Sequence, residues 1–103
     1  MKNHATTDSC IASRKLLGDF WTLSIIDALS HGELRYCELQ RAVGGINPVT
    51  LATRLKKLEG AKLIARNECI VDKISVSYRL TPLGRDTLPI LTAINQFSEQ
   101  ATS

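Results

Sequence analysis

No stretch of this sequence approaches the roughly 18 consecutive apolar residues that a membrane-spanning helix requires, so no membrane partner is expected. The first nine residues are polar and enclose no apolar segment, so a secretory leader is not expected either. A Gly-rich phosphate loop is missing, Gly44-Gly45 being only a two-glycine turn. No Ser-His-Asp or Cys-His set stands at workable spacing, and His4 and His31 fall in a terminal segment and a loop. Catalysis needs titrating groups gathered in a pocket. Without them the chain is expected not to be an enzyme and to need no cofactor. The three cysteines, Cys10, Cys37 and Cys69, are scattered and odd in number, which argues against a disulfide framework and suits a reducing cytoplasm. They form no C-x-x-C pair, so no metal site is expected. There is no internal repeat, low-complexity tract or linker. At 103 residues the chain reads as one domain over 8–99, with flexible ends at 1–7 and 100–103.

Net charge is also scarce, and what there is lies in one place. The whole chain carries only +3, a weak sign of nucleic-acid binding. From Asn47 to Arg66, however, Arg54, Lys56, Lys57, Lys62 and Arg66 stand against a single acid, Glu59. That segment is +4 and the remainder −1. Such a patch can follow phosphates while the rest of the surface stays free for protein contacts.

The segment itself reads as a short two-faced helix. Asn47 is a good N-cap, its side chain able to accept from a first-turn N–H. Pro48 takes the first helical position, where its missing N–H costs nothing. Leu51, Leu55 and Leu58 fall at i, i+4 and i+7 on one side. The other side carries Val49, Thr50, Thr53, Lys56 and Lys57, without acid, bulk or aromatics. An apolar back with a small, polar, basic front suits a helix entering the major groove of DNA. An ordinary amphipathic helix with solvated lysines has the same pattern, and the context separates the two.

Upstream, Asp8 or Ser9 can cap a first helix that runs through Leu17 and ends at Gly18. Asp19 can cap a second, with Thr22, Ile25, Ile26 and Leu29 at helical spacing until His31-Gly32. Leu34 and Arg35 read as a short extended piece, and Tyr36 to Val43 as a third helix with Leu39 and Val43 inward. Gly44-Gly45 then turns into the Asn47 helix, giving helix-turn-helix. The period next changes to two. Ile74, Val76, Tyr78 and Leu80 alternate with Ser75, Ser77 and Arg79, a half-buried strand. Leu63 to Val71 is the expected partner strand and Asp72-Lys73 the hairpin tip. Thr81-Pro82 opens a last helix, bent by Pro89. The expected class is mainly α with a small β-hairpin wing, a winged helix-turn-helix.

In this arrangement the chain resembles the HxlR-type winged helix-turn-helix transcriptional regulators, relatives of the MarR group. The resemblance runs from about Leu16 to Phe97. It is carried by Gly18, Trp21-Thr22-Leu23, Arg35-Tyr36, Glu38-Leu39, Gly45-Ile46, Leu51, Arg54-Leu55, Leu58-Glu59 and Leu63-Ile64-Ala65-Arg66. It continues with Tyr78, Leu80-Thr81, Leu83-Gly84 and Leu88-Pro89-Ile90-Leu91. It implies a small prokaryotic regulator binding double-stranded operator DNA as a homodimer through its first and last helices. The recognition helix would be about 47–60, in the major groove. The wing, about 71–74, would lie on the backbone or minor groove. The residues expected at DNA are then Asn47, Pro48, Val49, Thr50, Thr53, Arg54, Lys56 and Lys57, with Arg35 and the wing residue Lys73. Five positions depart from the family pattern. Lys62 stands where glycine is usual, and Lys73, Ile74 and Ser77 replace the usual wing proline and glutamate. Asp8 takes the place of the family's N-terminal redox cysteine, with Cys10 two residues later.

Cys10, Arg35 and the last helix leave alternatives open. Cys10, near an expected helix start and four residues before Arg14, reads either as an activated redox thiol or as a small packing residue. Cys37 and Cys69 read as packing residues. Trp21 reads as core, its ring bordering a dimer seam. Arg35 either reaches a phosphate or pairs with Glu38. In the last helix Ile90, Leu91, Ile94 and Phe97 spread wider than one stripe, which favours a partner helix over the domain's own back. Two other functions fit the same fold: a winged-helix protein–protein module and a thiol redox sensor. The operator and the inducing signal, small molecule or oxidant, leave no mark in the sequence.

Overall fold

The computed structural model of the chain describes residues 3–70 and 74–102. The elements in order are α1 (Asn3–Leu17), α2 (Phe20–Leu29), β1 (Leu34–Arg35), α3 (Tyr36–Val43), α4 (Pro48–Gly60), β2 (Ile64–Ile70), β3 (Ile74–Leu80), α5 (Pro82–Arg85) and α6 (Leu88–Thr102). The strands form one antiparallel sheet in the order β1-β3-β2. Leu34 stands opposite Tyr78 on one edge, and on the other the register runs from Ile64–Leu80 out to Ile70–Ile74. This is a winged helix: three helices packed on a small sheet, with the β2–β3 hairpin extending from it.

Local chemistry accounts for most element ends. Asp19 caps α2, its carboxylate accepting the Thr22 N–H at 2.9 Å. Behind the cap Thr22, Ile25, Ile26 and Leu29 turn one stripe inward and are fully or almost fully buried. Leu39 of α3, Leu51, Leu55 and Leu58 of α4, and Ile64, Tyr78 and Leu80 of the sheet close on that stripe. Full burial of each such aliphatic side chain contributes about 2 kcal/mol. At the inner end of β3 the expected alternation is present, with Tyr78 and Leu80 buried and Arg79 exposed, while Ser75, Val76 and Ser77 are all half-buried.

Three expectations are corrected, and the expected partner strand is present with narrower described bounds. α1 begins at Asn3, so Asp8 and Ser9 lie inside the helix and do not cap it. Residues 3–7 contain no proline or glycine to stop a helix formed further on from growing back through them. The single last helix is two, because α5 stops at Arg85 and α6 starts at Leu88. The break puts Pro89 in the first turn of α6, where a proline needs no N–H and bends nothing. The partner strand is β2, Ile64–Ile70, and only its inner end is buried; Arg66 to Cys69 are all exposed because the hairpin runs past the core. Finally, Cys37 and Cys69 are exposed free thiols and not packing residues.

Candidate nucleic-acid interface

The α4 helix is fixed at both ends. At its start Asn47 Oδ1 accepts the Val49 N–H at 2.7 Å, and Pro48 occupies the first turn, as expected. At its end Lys62 N–H donates to Glu59 O at 2.9 Å and Leu63 N–H to Leu58 O at 3.0 Å. This pair of bonds is a Schellman closure, which needs a left-handed residue. Lys62 supplies it at φ 64°. The Thr81 hydroxyl donates to Lys62 O at 2.6 Å and accepts from Gly84 N–H at 3.0 Å. Gly84 lies so close to the Leu63 carbonyl that any Cβ there would collide with it. The C-terminal end of α4 is thereby keyed into the start of α5.

Between those ends the helix shows two faces. Leu51, Leu55 and Leu58 are no more than 2% exposed. Val49, at 74% exposure, stands out from the N-terminal turn. Thr53, Lys56 and Lys57 are exposed beside it, and Thr50 is half-buried. The Thr53 hydroxyl donates to Val49 O at 2.9 Å, so outward it offers acceptor lone pairs and a methyl group. These are groups suited to base edges, which present amino donors and thymine methyls in the major groove.

Arg54 is placed differently from its neighbours. Its Nε donates to Asp19 Oδ2 at 2.7 Å and its Nη2 to Asp19 Oδ1 at 3.1 Å. The same Oδ2 accepts from both the N–H and the hydroxyl of Thr22. The Arg54 fork, opposed by partial burial and aided by Thr22, holds the Asp19 carboxyl down to about 2. The pair lies in a cleft with Ala12, Lys15, Leu16, Thr22 and Lys57. Arg54 thus flanks the apolar stripe and points toward α2. The charge it adds to the basic segment is balanced by an acid 35 residues away, leaving Lys56, Lys57 and Lys62 as that segment's exposed lysines. Sequence reasoning found the Asp19 cap but not this ion pair, since nothing local to either residue signals it.

The flanking elements complete the face. Glu38 Oε1 accepts the backbone N–H of Arg35 at 2.8 Å, capping α3. Glu38 is therefore engaged with the Arg35 backbone. Among the described residues no ion pair holds the exposed Arg35 guanidinium. On the hairpin, Arg66 Nη1 lies 3.5 Å from Glu68 Oε1, and the Ser77 hydroxyl bonds to Glu33 near the sheet's edge. Lys73 and the rest of the wing tip lie outside the described residues.

Cys10 is exposed, but it is the eighth of fifteen residues in α1. A helix dipole acts within the first turn, so the activation expected from a helix start does not reach it. Trp21 is half-buried against the core and meets the exposed Phe20 ring edge-on at 4.9 Å. On α6, Leu88 and Leu91 pack against the core, while Ile90, Ile94 and Phe97 are 42%, 43% and 69% exposed. With Pro89 and Ala93 these three line an open apolar groove. Among the described residues no cluster of His, Cys, Asp or Glu could hold a metal, and no helix is long and apolar enough to cross a membrane.

Comparison with known proteins gives a consistent result. The profile of the HxlR-like helix-turn-helix family matches residues 16–103. An HTH-type transcriptional regulator of Halalkalibacterium halodurans is 38% identical over 77 residues, 74% of this chain and 68% of the relative. A crystal structure from Porphyromonas gingivalis W83, described as a MarR-family transcriptional regulator, superposes with a TM-score of 0.82 at 37% identity. It covers 87% of this chain and 88% of its own. The reduced form of the transcriptional regulator YodB from B. subtilis superposes with a TM-score of 0.77 at 28% identity, covering 86% and 87%. The diamide-treated form of that protein also matches, with a TM-score of 0.75.

Proposed function

Because the chain belongs to the HxlR-like helix-turn-helix family, we propose that it works as a homodimer on double-stranded operator DNA, with α4 in the major groove and the β2–β3 hairpin against the backbone or minor groove. Membership makes it a transcriptional regulator and not an enzyme. The observation that carries the DNA reading is the outward face of α4. Val49, Thr53, Lys56 and Lys57 stand exposed on a helix whose back is fully buried and whose ends are fixed. Thr50 and Thr53 face base edges, Lys56 and Lys57 reach phosphates, and Asn47 and Pro48 set the entry of the helix. Arg35 reaches a phosphate from the start of α3, and Lys73 does so from the wing. Arg54 contributes from behind, through Asp19. A cytoplasmic location follows from this role.

The dimer rests on α1 and α6. Ile90, Ile94 and Phe97 recur at i, i+4 and i+7, a stripe that a partner helix covers. Two recognition helices would then read half-sites about 10 base pairs apart centre to centre, or a multiple of that. Selection from a random duplex library, footprinting and light scattering test the reading together. The expected result is a dimer protecting two symmetric half-sites. A monomer at tens of micromolar (roughly), where specific interfaces hold, or a single protected half-site, refutes it.

A second reading concerns the signal. Cys10 is an exposed thiol on α1, a proposed dimer helix, and YodB, a relative in fold, is known in reduced and diamide-treated forms. Oxidation at Cys10 would shift the spacing of the recognition helices without touching the DNA-facing residues. Diamide treatment should change operator affinity in the wild type and not in Cys10→Ser. An identical response of both proteins, or none, assigns the signal elsewhere.

A further inference from the structure

The α4 helix is held along its length by two kinds of contact. Leu51, Leu55 and Leu58 press into the core, but apolar burial is non-directional and leaves a helix some freedom to roll about its axis. The Schellman closure and Thr81 fix only its last turn. The directional contact in the middle is Arg54, the seventh residue of α4, whose planar fork meets the Asp19 carboxylate through two bonds. Such fork-to-fork pairs fix geometry as well as charge. Asp19 is itself held in place, because it caps α2 through the Thr22 N–H and takes one further bond from the hydroxyl of Thr22, which is 1% exposed. The chain of contacts thus runs from the buried centre of α2 to the flank of the recognition helix.

We infer that Asp19, acting through Arg54, is a positioning residue that sets the roll of the recognition helix and so its discrimination between DNA sequences. This rests on the DNA-binding reading above. Side-chain tips on a helix lie about 5–6 Å from its axis, so a roll of about 10° displaces them by about 1 Å. That is enough to spoil hydrogen bonds to base edges. Lys56 and Lys57, long and flexible, still find phosphates after such a roll. Loss of the pair therefore weakens sequence reading and spares general DNA affinity. The cleft around the pair makes the opposite outcome visible. Lys15 and Lys57 flank Arg54 there, and removing the Asp19 charge leaves three cations together. If Arg54 were a phosphate contact held in check by Asp19, its release would strengthen binding to every duplex.

The test uses the full chain and Asp19→Asn, since asparagine keeps an acceptor for the α2 cap and loses only the charged fork. Affinities are measured for the best duplex selected by the wild type and for random duplex of equal length, across a salt series. The ratio of the two should fall about tenfold, the scale of one lost base contact. Random-duplex affinity should stay at or slightly above wild type with an unchanged salt slope. Faster amide exchange in the middle of α4 should accompany this in the free protein, with the dimer intact. Arg54→Gln should lower the ratio equally, and the double variant no further. An unchanged ratio overturns the proposal. So does a rise in affinity for both duplexes with a steeper salt slope, or equal loss on both. Failure of the wild type to bind any duplex refutes the DNA-binding reading itself, and the positioning role with it.

Discussion

Lys57 offers the sharpest test of how the interface is divided between holding and reading. It is exposed in the last turn of α4, on the same flank as Arg54 and opposite the buried leucines. In the proposed complex a lysine there meets the phosphate backbone and not the base edges. On the proposed reading, Lys57→Ala removes one phosphate contact per subunit, hence two per dimer. Each contact contributes about 0.9 to the slope of log K against log salt, so the slope should flatten by about 1.8. Between 50 and 200 mM salt, the wild type would therefore lose roughly 12-fold more affinity than the variant. Fluorescence anisotropy on a labelled duplex at four or five salt concentrations measures this directly. The change should be the same on the selected site and on random duplex, because phosphates carry no sequence. A flattening near 0.9 would mean that one subunit is bound. An unchanged slope would show that Lys57 does not touch the backbone and that the orientation of α4 is wrong.

Three further outcomes follow from single contacts. Thr53→Ala should cost about 1 kcal/mol on the selected duplex and little on random DNA; equal loss on both would move Thr53 off the groove face. The Asp19 carboxyl titrates at about 2 in the folded chain against an ordinary 3.8, so it stabilises the fold above about pH 4, and that contribution is lost as the pH falls toward 2. Because the side chain is 28% exposed, screening reduces the effect to about 1 kcal/mol. Urea titrations at pH 2 to 5 should show a shallower acid loss in Asp19→Asn, and parallel curves would refute it. Lys62→Gly should stabilise the chain by about 0.5–1 kcal/mol, since φ 64° suits glycine and strains a side chain; a lower melting temperature would contradict the closure described for α4.

How far each feature could be read in advance depends on how local its cause is. The Asn47 cap, Pro48, the Asp19 cap and the four buried residues of α2 depend on neighbours within four positions, and the structure has them as expected. The Tyr36–Val43 bounds of α3 and the alternation of β3 are likewise written into short stretches. The start of α1 was illegible because a strong capping residue, Asp8, does not compel a helix to begin there. Cys37 and Cys69 are exposed against expectation, because their burial is set by the assembly of elements and not by neighbouring residues. On α3 only Leu39 is fully covered, and beyond the inner end of β2 the hairpin has no core to cover it.

Arg54 is the instructive case, because its residue type and its place in a basic segment both pointed to DNA. Whether an arginine on a helix flank faces outward depends on what lies across from it, and Asp19 lies 35 residues earlier in the chain. The same acid that caps α2 for local reasons is thus brought by the fold against α4. A charge counted toward the DNA face is also paired within the protein, while Lys56, Lys57 and Lys62 stand exposed without such a pair among the described residues. Reading an interface from sequence therefore requires subtracting the cations that the fold itself uses. Here Arg54, expected at DNA, is bonded to Asp19, and on the proposed reading it acts as the tie that orients the other contacts.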